Sequence, residues 1–144
     1  MSRAYRIIEM YKDMGIDKSR VLIKLAATYE GIQAAEQLEK DGIQCNLTLI
    51  FSVVQAIACA QRGAHLISPF PGRILDWNRI KEGRTEGVMP EDDEGVIAVK
   101  TMYNYYKVCH DALLFFIYLI NYFVNSFFLQ TFFCIVSFME VPRS

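Results

Sequence analysis

A lysine set inside an apolar run is the residue of this sequence with the clearest chemical potential. Lys24 interrupts Val21-Leu22-Ile23-Lys24-Leu25-Ala26-Ala27. A strand that apolar is expected to hide its side chains on both faces. Desolvation there disfavours the ammonium form and makes the neutral amine accessible near pH 7. A neutral amine in such a place attacks a ketone and forms a Schiff base. The competing reading is a lysine at a strand end whose stem runs along apolar surface to water. The run alone does not choose between them, so the other polar residues have to.

Those residues recur at equal intervals. Lys24, Asn46 and Ser68 stand 22 residues apart each time, at a similar place in successive strand-plus-helix units. Alternation along a strand puts Asn46 and Thr48 on one face, and Ser68 and Phe70 on one face of the next strand. If those faces correspond, the five side chains line one concave surface across three neighbouring parallel strands. Polar groups inside apolar strands are costly unless satisfied, so the arrangement reads as a site. The alternative is a packed barrel core with hydrogen-bonded Thr and Ser. Pro69-Phe70-Pro71-Gly72-Arg73 then makes a rigid turn at a strand's C-terminal end, where parallel α/β proteins place ligands. Arg73 on that turn is expected to grip a phosphate, to pair with Asp76, or both. Arg79 reads as solvated surface.

The elements that must position these residues alternate. Arg6 to Met14 has helical spacing and ends at Gly15, a natural stop. A strand over Val21–Ala27 follows. Thr28 is expected to cap a helix with Ile32, Ala35 and Leu38 inward, closed by Gly42. A second strand runs Cys45–Phe51, Ser52 caps a helix over Val53–Ala60 closed by Gly63, and a third strand runs His65–Phe70. Short connections in a β-α-β-α-β order imply right-handed crossovers and a parallel sheet. Residues 78 to 93 read as an exposed loop. Glu94 to Lys107 reads as a helix with Val96, Val99, Met102, Tyr103 and Tyr106 on its core-facing side.

Composition excludes several classes. The 144 residues are one ordinary domain by length, and the net charge of −1 with no basic block argues against a nucleic-acid partner. Cys45, Cys59, Cys109 and Cys134 lack ligand spacing, and His65 and His110 are isolated, so neither a metal site nor a catalytic dyad is expected. Met1 to Arg20 is charged throughout, without the apolar core of a secretory leader, so reduced thiols and a cytoplasmic location are expected. Residues 112 to 139 carry no charge. That stretch is long enough to span a bilayer as a helix, and the lysines before it favour a cytosolic N-terminus. It is read as read-through or frame-shifted sequence foreign to what precedes it, as a membrane anchor, or as an unusual core segment.

The stretch VLIKLAATYEGIQAAEQLEKDGIQCNLTLIFSVVQAIACAQRGAHLISPFPGRILDW, with EGVIAVKTMYNYYK behind it, resembles transaldolase. The resemblance runs from about Arg6 to Lys107. It implies an α/β fold, a (β/α)8 TIM barrel of which this chain holds three parallel strands with their helices. Residues 1–107 are then a partial barrel, and 108–144 an apolar tail ending in a helix outside the pattern. It also implies transfer of a dihydroxyacetone unit between sugar phosphates in the non-oxidative pentose phosphate pathway, without cofactor, through a lysine imine. Carried across, Lys24 matches the Schiff-base lysine of the fourth barrel strand. Asn46 and Thr48 match the fifth-strand pair that holds the dihydroxyacetone moiety and the catalytic water. Ser68 matches a substrate-binding serine, Phe70 the aromatic beside it, and Arg73 a phosphate-binding arginine. The resemblance implies sugar phosphates as partners and homodimers in full-length members.

One departure is Pro71, where relatives are expected to carry an apolar residue such as valine; it should stiffen the turn. The family's acid–base carboxylates, on the first and third strands, are expected to lie before Met1. Glu30, Glu36 and Asp76 are not placed to replace them. A complete barrel takes about 250 residues, so little or no activity is expected of this chain alone.

Overall fold

In the computed structural model the described residues are 2–109, and the apolar stretch 112–139 lies outside them. The chain opens with α1 (Ser2–Asp13), followed by a short 3-10 turn at Lys18–Arg20. Then come β1 (Ile23–Ala26), α2 (Tyr29–Lys40), β2 (Cys45–Ile50), α3 (Val53–Gln61), β3 (Leu66–Pro69), α4 (Pro71–Glu82) and α5 (Glu94–Cys109). The strands pair in parallel in the order β1-β2-β3. Successive strands that remain neighbours, joined by crossovers of one hand, place their helices on one side of the sheet. This is the curl of a (β/α)8 barrel, as expected from the sequence, rather than of a doubly wound sheet.

The helices begin where their sequences say they should. Thr28 Oγ1 accepts from the Gly31 N–H at 3.1 Å, and Ser52 Oγ accepts from the Gln55 N–H at 3.2 Å. Each cap satisfies a donor that the first helical turn leaves open. Gly42 and Gly63, closing α2 and α3, have φ of 72° and 74°, a region open to glycine at little cost. Gly31 has a second role. A Cβ there would stand 1.9 Å from the Ala26 carbonyl oxygen, so only glycine lets α2 start against the end of β1.

Three expectations are corrected. The turn at Pro71 continues as α4, with Pro71 at the first helical position, where its missing N–H costs nothing. Gly83 at φ 65° ends that helix. The loop that follows is accordingly shorter than expected, and its last residue, Asp93, is fully buried. Asp93 Oδ1 accepts from the N–H groups of Gly95 and Val96, capping α5. On α5 the inward stripe is Ala98, Val99, Met102, Tyr105 and Tyr106; Val96 and Tyr103 are exposed. Among the described residues no helix is long and apolar enough to cross a membrane.

The core lies between the sheet and α2, α3 and α5, and gathers Ile23, Cys45, Leu47 and Ile67 with Leu38, Cys59, Met102 and Tyr106. The Tyr106 hydroxyl donates to the Ala56 carbonyl at 2.9 Å, tying α5 to α3. At the sheet's N-terminal end one carboxylate oxygen, Glu39 Oε1, accepts from the N–H groups of both Cys45 and His65 at 2.8 Å. It joins the starts of β2 and β3. Hydrogen bonds to a charged group contribute about 1.5–3 kcal/mol, so Glu39→Ala should lower unfolding free energy by that amount in urea titrations, with Glu39→Gln intermediate.

Burial pushes the thiols of Cys45 and Cys59 up to about 12, with the charge of Glu39 adding to the effect at Cys45. The unfolded chain loses these protons near pH 9 while the folded chain keeps them. The unfolded state then binds fewer protons, and stability falls as pH rises from about 9 toward 12. Replacing both cysteines with alanine should therefore reduce the stability lost between pH 8 and 10.5, measured by urea unfolding at each pH.

Candidate functional site

The register of the strands decides which polar residues meet. Lys24 lies opposite Asn46, and Thr48 lies opposite Ser68. Parallel partners point to the same side of a sheet, and residues two apart share a face. Lys24, Asn46, Thr48 and Ser68 therefore share the face away from the helices, as expected. The equal 22-residue spacing does not make a single row, because Asn46 pairs with Leu66 and Ser68 sits one step further along. Ser68, only 2% exposed, compensates by donating its Oγ–H to Asn46 Oδ1 at 2.8 Å. With its carbonyl engaged, Asn46 offers its NH2 group as a donor.

Thr48 is different. Its Oγ1 is buried and has no hydrogen-bond partner. A buried polar atom left open costs about 1–3 kcal/mol, which makes it the group on this face best suited to receive a water or a substrate hydroxyl. Immediately after it the ladder breaks: pairing with β3 skips Leu49, whose φ is +60°. This bulge lies at the C-terminal ends of the strands, the end at which barrel enzymes build their sites.

Lys24 does not meet the expectation that both faces of its strand are covered. It is exposed, and Leu22 beside it is 43% exposed. Among the described residues β1 is the outer strand of the sheet, and both Lys24 on it and Leu22 just ahead of it reach solvent. Phe70 caps the end of the face, its ring centroid 5.8 Å from that of Phe51. Arg73, exposed on the first turn of α4, holds its guanidinium 5.6 Å from the centre of the Phe70 ring. The expected pairing with Asp76 is not formed; stacking on the ring takes its place. α4 begins without a side-chain cap, so its first N–H groups stay open beside Arg73. Gly95 of α5 fixes this corner, since a Cβ there would stand 2.2 Å from the Pro71 carbonyl oxygen.

The other acidic residues do not join the site. Glu36 is engaged by Lys40 at 2.8 Å and by Arg62. Those hydrogen bonds, that of Lys40 foremost, hold its carboxyl below the usual range. Glu30 is exposed on α2, and Asp76 is exposed on α4.

A lysine, an Asn–Thr pair and a serine on three adjacent parallel strands, followed by Phe-Pro-Gly-Arg, form the pattern on which the sequence resemblance rested. The family model for Transaldolase/Fructose-6-phosphate aldolase matches residues 1–140. The chain belongs to this family. It is 61% identical over 107 residues to the transaldolase of Alteromonas mediterranea, an alignment covering 74% of this chain and 33% of that protein. The transaldolases of Marinobacter nauticus and Pseudoalteromonas atlantica are 60% and 62% identical over the same coverage. The chain thus spans about a third of the length of the curated relatives it matches.

Two residues that shape the site escaped the sequence reading. Asp93 lay in a stretch too polar to suggest burial, although an Asp just ahead of a helical pattern is a cap signal. Gln55 stands three residues after the Ser52 cap, and that S-x-x-Q spacing is the signature of a reciprocal cap. Its contacts go further than a cap's, reaching the carbonyls of Ala27 and Leu49.

The opposed states of Thr48 and Ser68 give a testable contrast. Thr48→Val removes an unpartnered hydroxyl at nearly constant volume and should leave stability unchanged or raised. Ser68→Ala removes a made hydrogen bond and should cost about 0.5–1.5 kcal/mol. Thermal and urea unfolding of the two variants measures both signs.

Proposed function

We propose that this chain carries the Schiff-base half of a transaldolase site and acts on ketose and aldose phosphates. The reaction is that of the non-oxidative pentose phosphate pathway in the cytoplasm. Sedoheptulose 7-phosphate and glyceraldehyde 3-phosphate give erythrose 4-phosphate and fructose 6-phosphate. The observation that supports this best is the shared face of Lys24, Asn46, Thr48 and Ser68, with the Thr48 hydroxyl left open between them. Family membership supplies the reaction class. In this reading residues 1–107 are the catalytic piece and 108–144 a separate apolar tail.

The proposed sequence of steps follows from the side chains. The Lys24 amine adds to the ketone carbon, and the resulting carbinolamine loses water to become a protonated imine. Thr48, with donor and acceptor capacity and no protein partner, holds that water; Asn46 and Ser68 hold the hydroxyls of the dihydroxyacetone unit. The hydroxyl on the fourth carbon then loses its proton to a carboxylate base, a part that the resemblance assigns to strands other than these three. The bond between the third and fourth carbons breaks, and its electrons pass to the imine as an enamine. The aldose phosphate departs. An acceptor aldehyde is attacked by the enamine, its oxygen takes up a proton, and water releases the product from Lys24. Arg73 and the open start of α4 meet the phosphate.

A second reading is that this face forms the imine but does not complete transfer, since none of Glu30, Glu36 and Asp76 stands on it. One experiment separates the two. Incubation with fructose 6-phosphate and borohydride should add the reduced sugar to Lys24, located by peptide mass spectrometry, and Lys24→Ala should abolish the adduct. Transfer to an added aldose phosphate supports the full reaction; adduct without transfer supports the second reading. A parent chain that forms no adduct at all refutes both.

A further inference from the structure

We infer that Gln55 is a positioning residue: it locks the left-handed bulge at Leu49 and thereby sets the direction of the Thr48 hydroxyl. The catalytic half of this inference rests on the transaldolase reading, whereas its backbone half does not.

The bulge needs something to hold it. Leucine at φ +60° is a strained conformation for a residue with a side chain. The extra residue also interrupts the ladder between Thr48 and Ile50. On either side the backbone is pinned. Ala27 N–H donates to the Thr48 carbonyl at 2.7 Å, and Phe70 N–H donates to the Ile50 carbonyl at 3.1 Å. Between those pins, the Leu49 carbonyl is held by Gln55 Nε2 at 3.3 Å. The same amide nitrogen donates to the Ala27 carbonyl at 3.1 Å, while Gln55 Oε1 accepts from the Phe51 N–H at 2.9 Å. One side-chain amide thus clasps the ends of β1 and β2, directly beyond Lys24 and Thr48.

An ordinary cap does not explain this set. The Gln of a reciprocal cap acts as an acceptor for backbone N–H groups at the helix start. Here the acceptor bonds to Phe51 N–H and Ser52 Oγ do that work. The two donor bonds run away from the helix, to carbonyls of two different strands. One of them holds the Leu49 carbonyl, and Leu49 directly follows the residue whose hydroxyl is unpartnered. Release of Leu49 from φ +60° would turn the Thr48–Leu49 peptide, and Thr48 with it, because side-chain direction in a strand follows the backbone.

Gln55→Glu separates the two roles. A carboxylate keeps the acceptor function and suits a helix N-terminus, so a residue that only caps predicts a neutral or stabilising change at pH 7.5. A residue that positions predicts loss, since a carboxylate cannot donate to Ala27 or Leu49. The readouts, on the full chain, are the Leu49 backbone angle from NMR scalar couplings and the rate of borohydride-trapped Lys24 adduct with fructose 6-phosphate. At pH 7.5 the variant should lose the left-handed Leu49 and form adduct about tenfold or more slowly than the parent.

Leu49→Val, at an exposed position with Gln55 intact, makes φ > 0 prohibitive and should slow adduct formation similarly. A left-handed Leu49 retained in Gln55→Glu at pH 7.5, or adduct rates unchanged in both variants, overturns the inference. If the parent forms no adduct, the transaldolase reading falls and the Leu49 couplings alone decide the lock.

Discussion

The two-residue alternation of a parallel strand governs everything else in this molecule. Cys45, Leu47 and Ile67 are fully buried against α2, α3 and α5. Their places send Asn46, Thr48 and Ser68 to the opposite face, together with Lys24 across the ladder. A slip of one residue would expose the apolar set and press the polar set into the core. Burying each large apolar side chain contributes about 1.5–3 kcal/mol, and each polar group forced inward without a partner costs about 1–3 kcal/mol. The two penalties add, so the register that packs the core is also the register that assembles the site. No separate device is needed to bring the four residues together.

The two ends of the sheet are finished differently. At the N-terminal end Glu39 satisfies the first N–H groups of β2 and β3 with a single oxygen. At the C-terminal end the ladder is broken by Leu49, the Thr48 hydroxyl is left open, and α4 starts without a side-chain cap. Satisfied groups at one end and open groups at the other describe a division between stability and chemistry that barrel enzymes share. Glycines hold the chemical end tight. Gly31 lets α2 begin on the β1 terminus, and Gly95 lets α5 begin on Pro71, so both corners of the site rest on contacts that a methyl group would prevent.

Much of this was legible in the residues. Thr28 and Ser52 behave as the caps their types announce, the glycines end the helices, and the shared face of Asn46 and Thr48 follows from alternation alone, whereas Ser68 joins it only through the pairing of β2 with β3. What was not legible depended on stagger and on reach. The 22-residue interval fixes Lys24 opposite Asn46 but not Ser68, since the length of a connection does not determine how far the next strand is offset. Pro71 read as a turn because proline and glycine together break patterns, yet proline is also at home in the first position of a helix. Gln55 reaches two strands with one amide, and nothing local in the sequence records where those carbonyls lie. The bulge at Leu49 was invisible for a related reason: leucine is not a residue that advertises positive φ, and it is held there by contacts from elsewhere.

The exposure of Lys24 separates two requirements that the sequence alone had merged. One is alignment: an amine opposite Asn46, with Thr48 and Ser68 on the next pairing. That follows from three strands and their helices. The other is desolvation, which makes an amine nucleophilic near neutral pH by penalising its charged form. Desolvation requires atoms on the open side of the face, and β1 is an outer strand with Lys24 reaching solvent. Neither the helices, which lie behind the sheet, nor Phe70 and Arg73, which stand at its far end beyond β3, can provide that cover. The alignment of the candidate site is therefore a separate property from its enclosure. Its geometry is a property of local register, while the reactivity of its lysine depends on whatever is packed against the open face of β1.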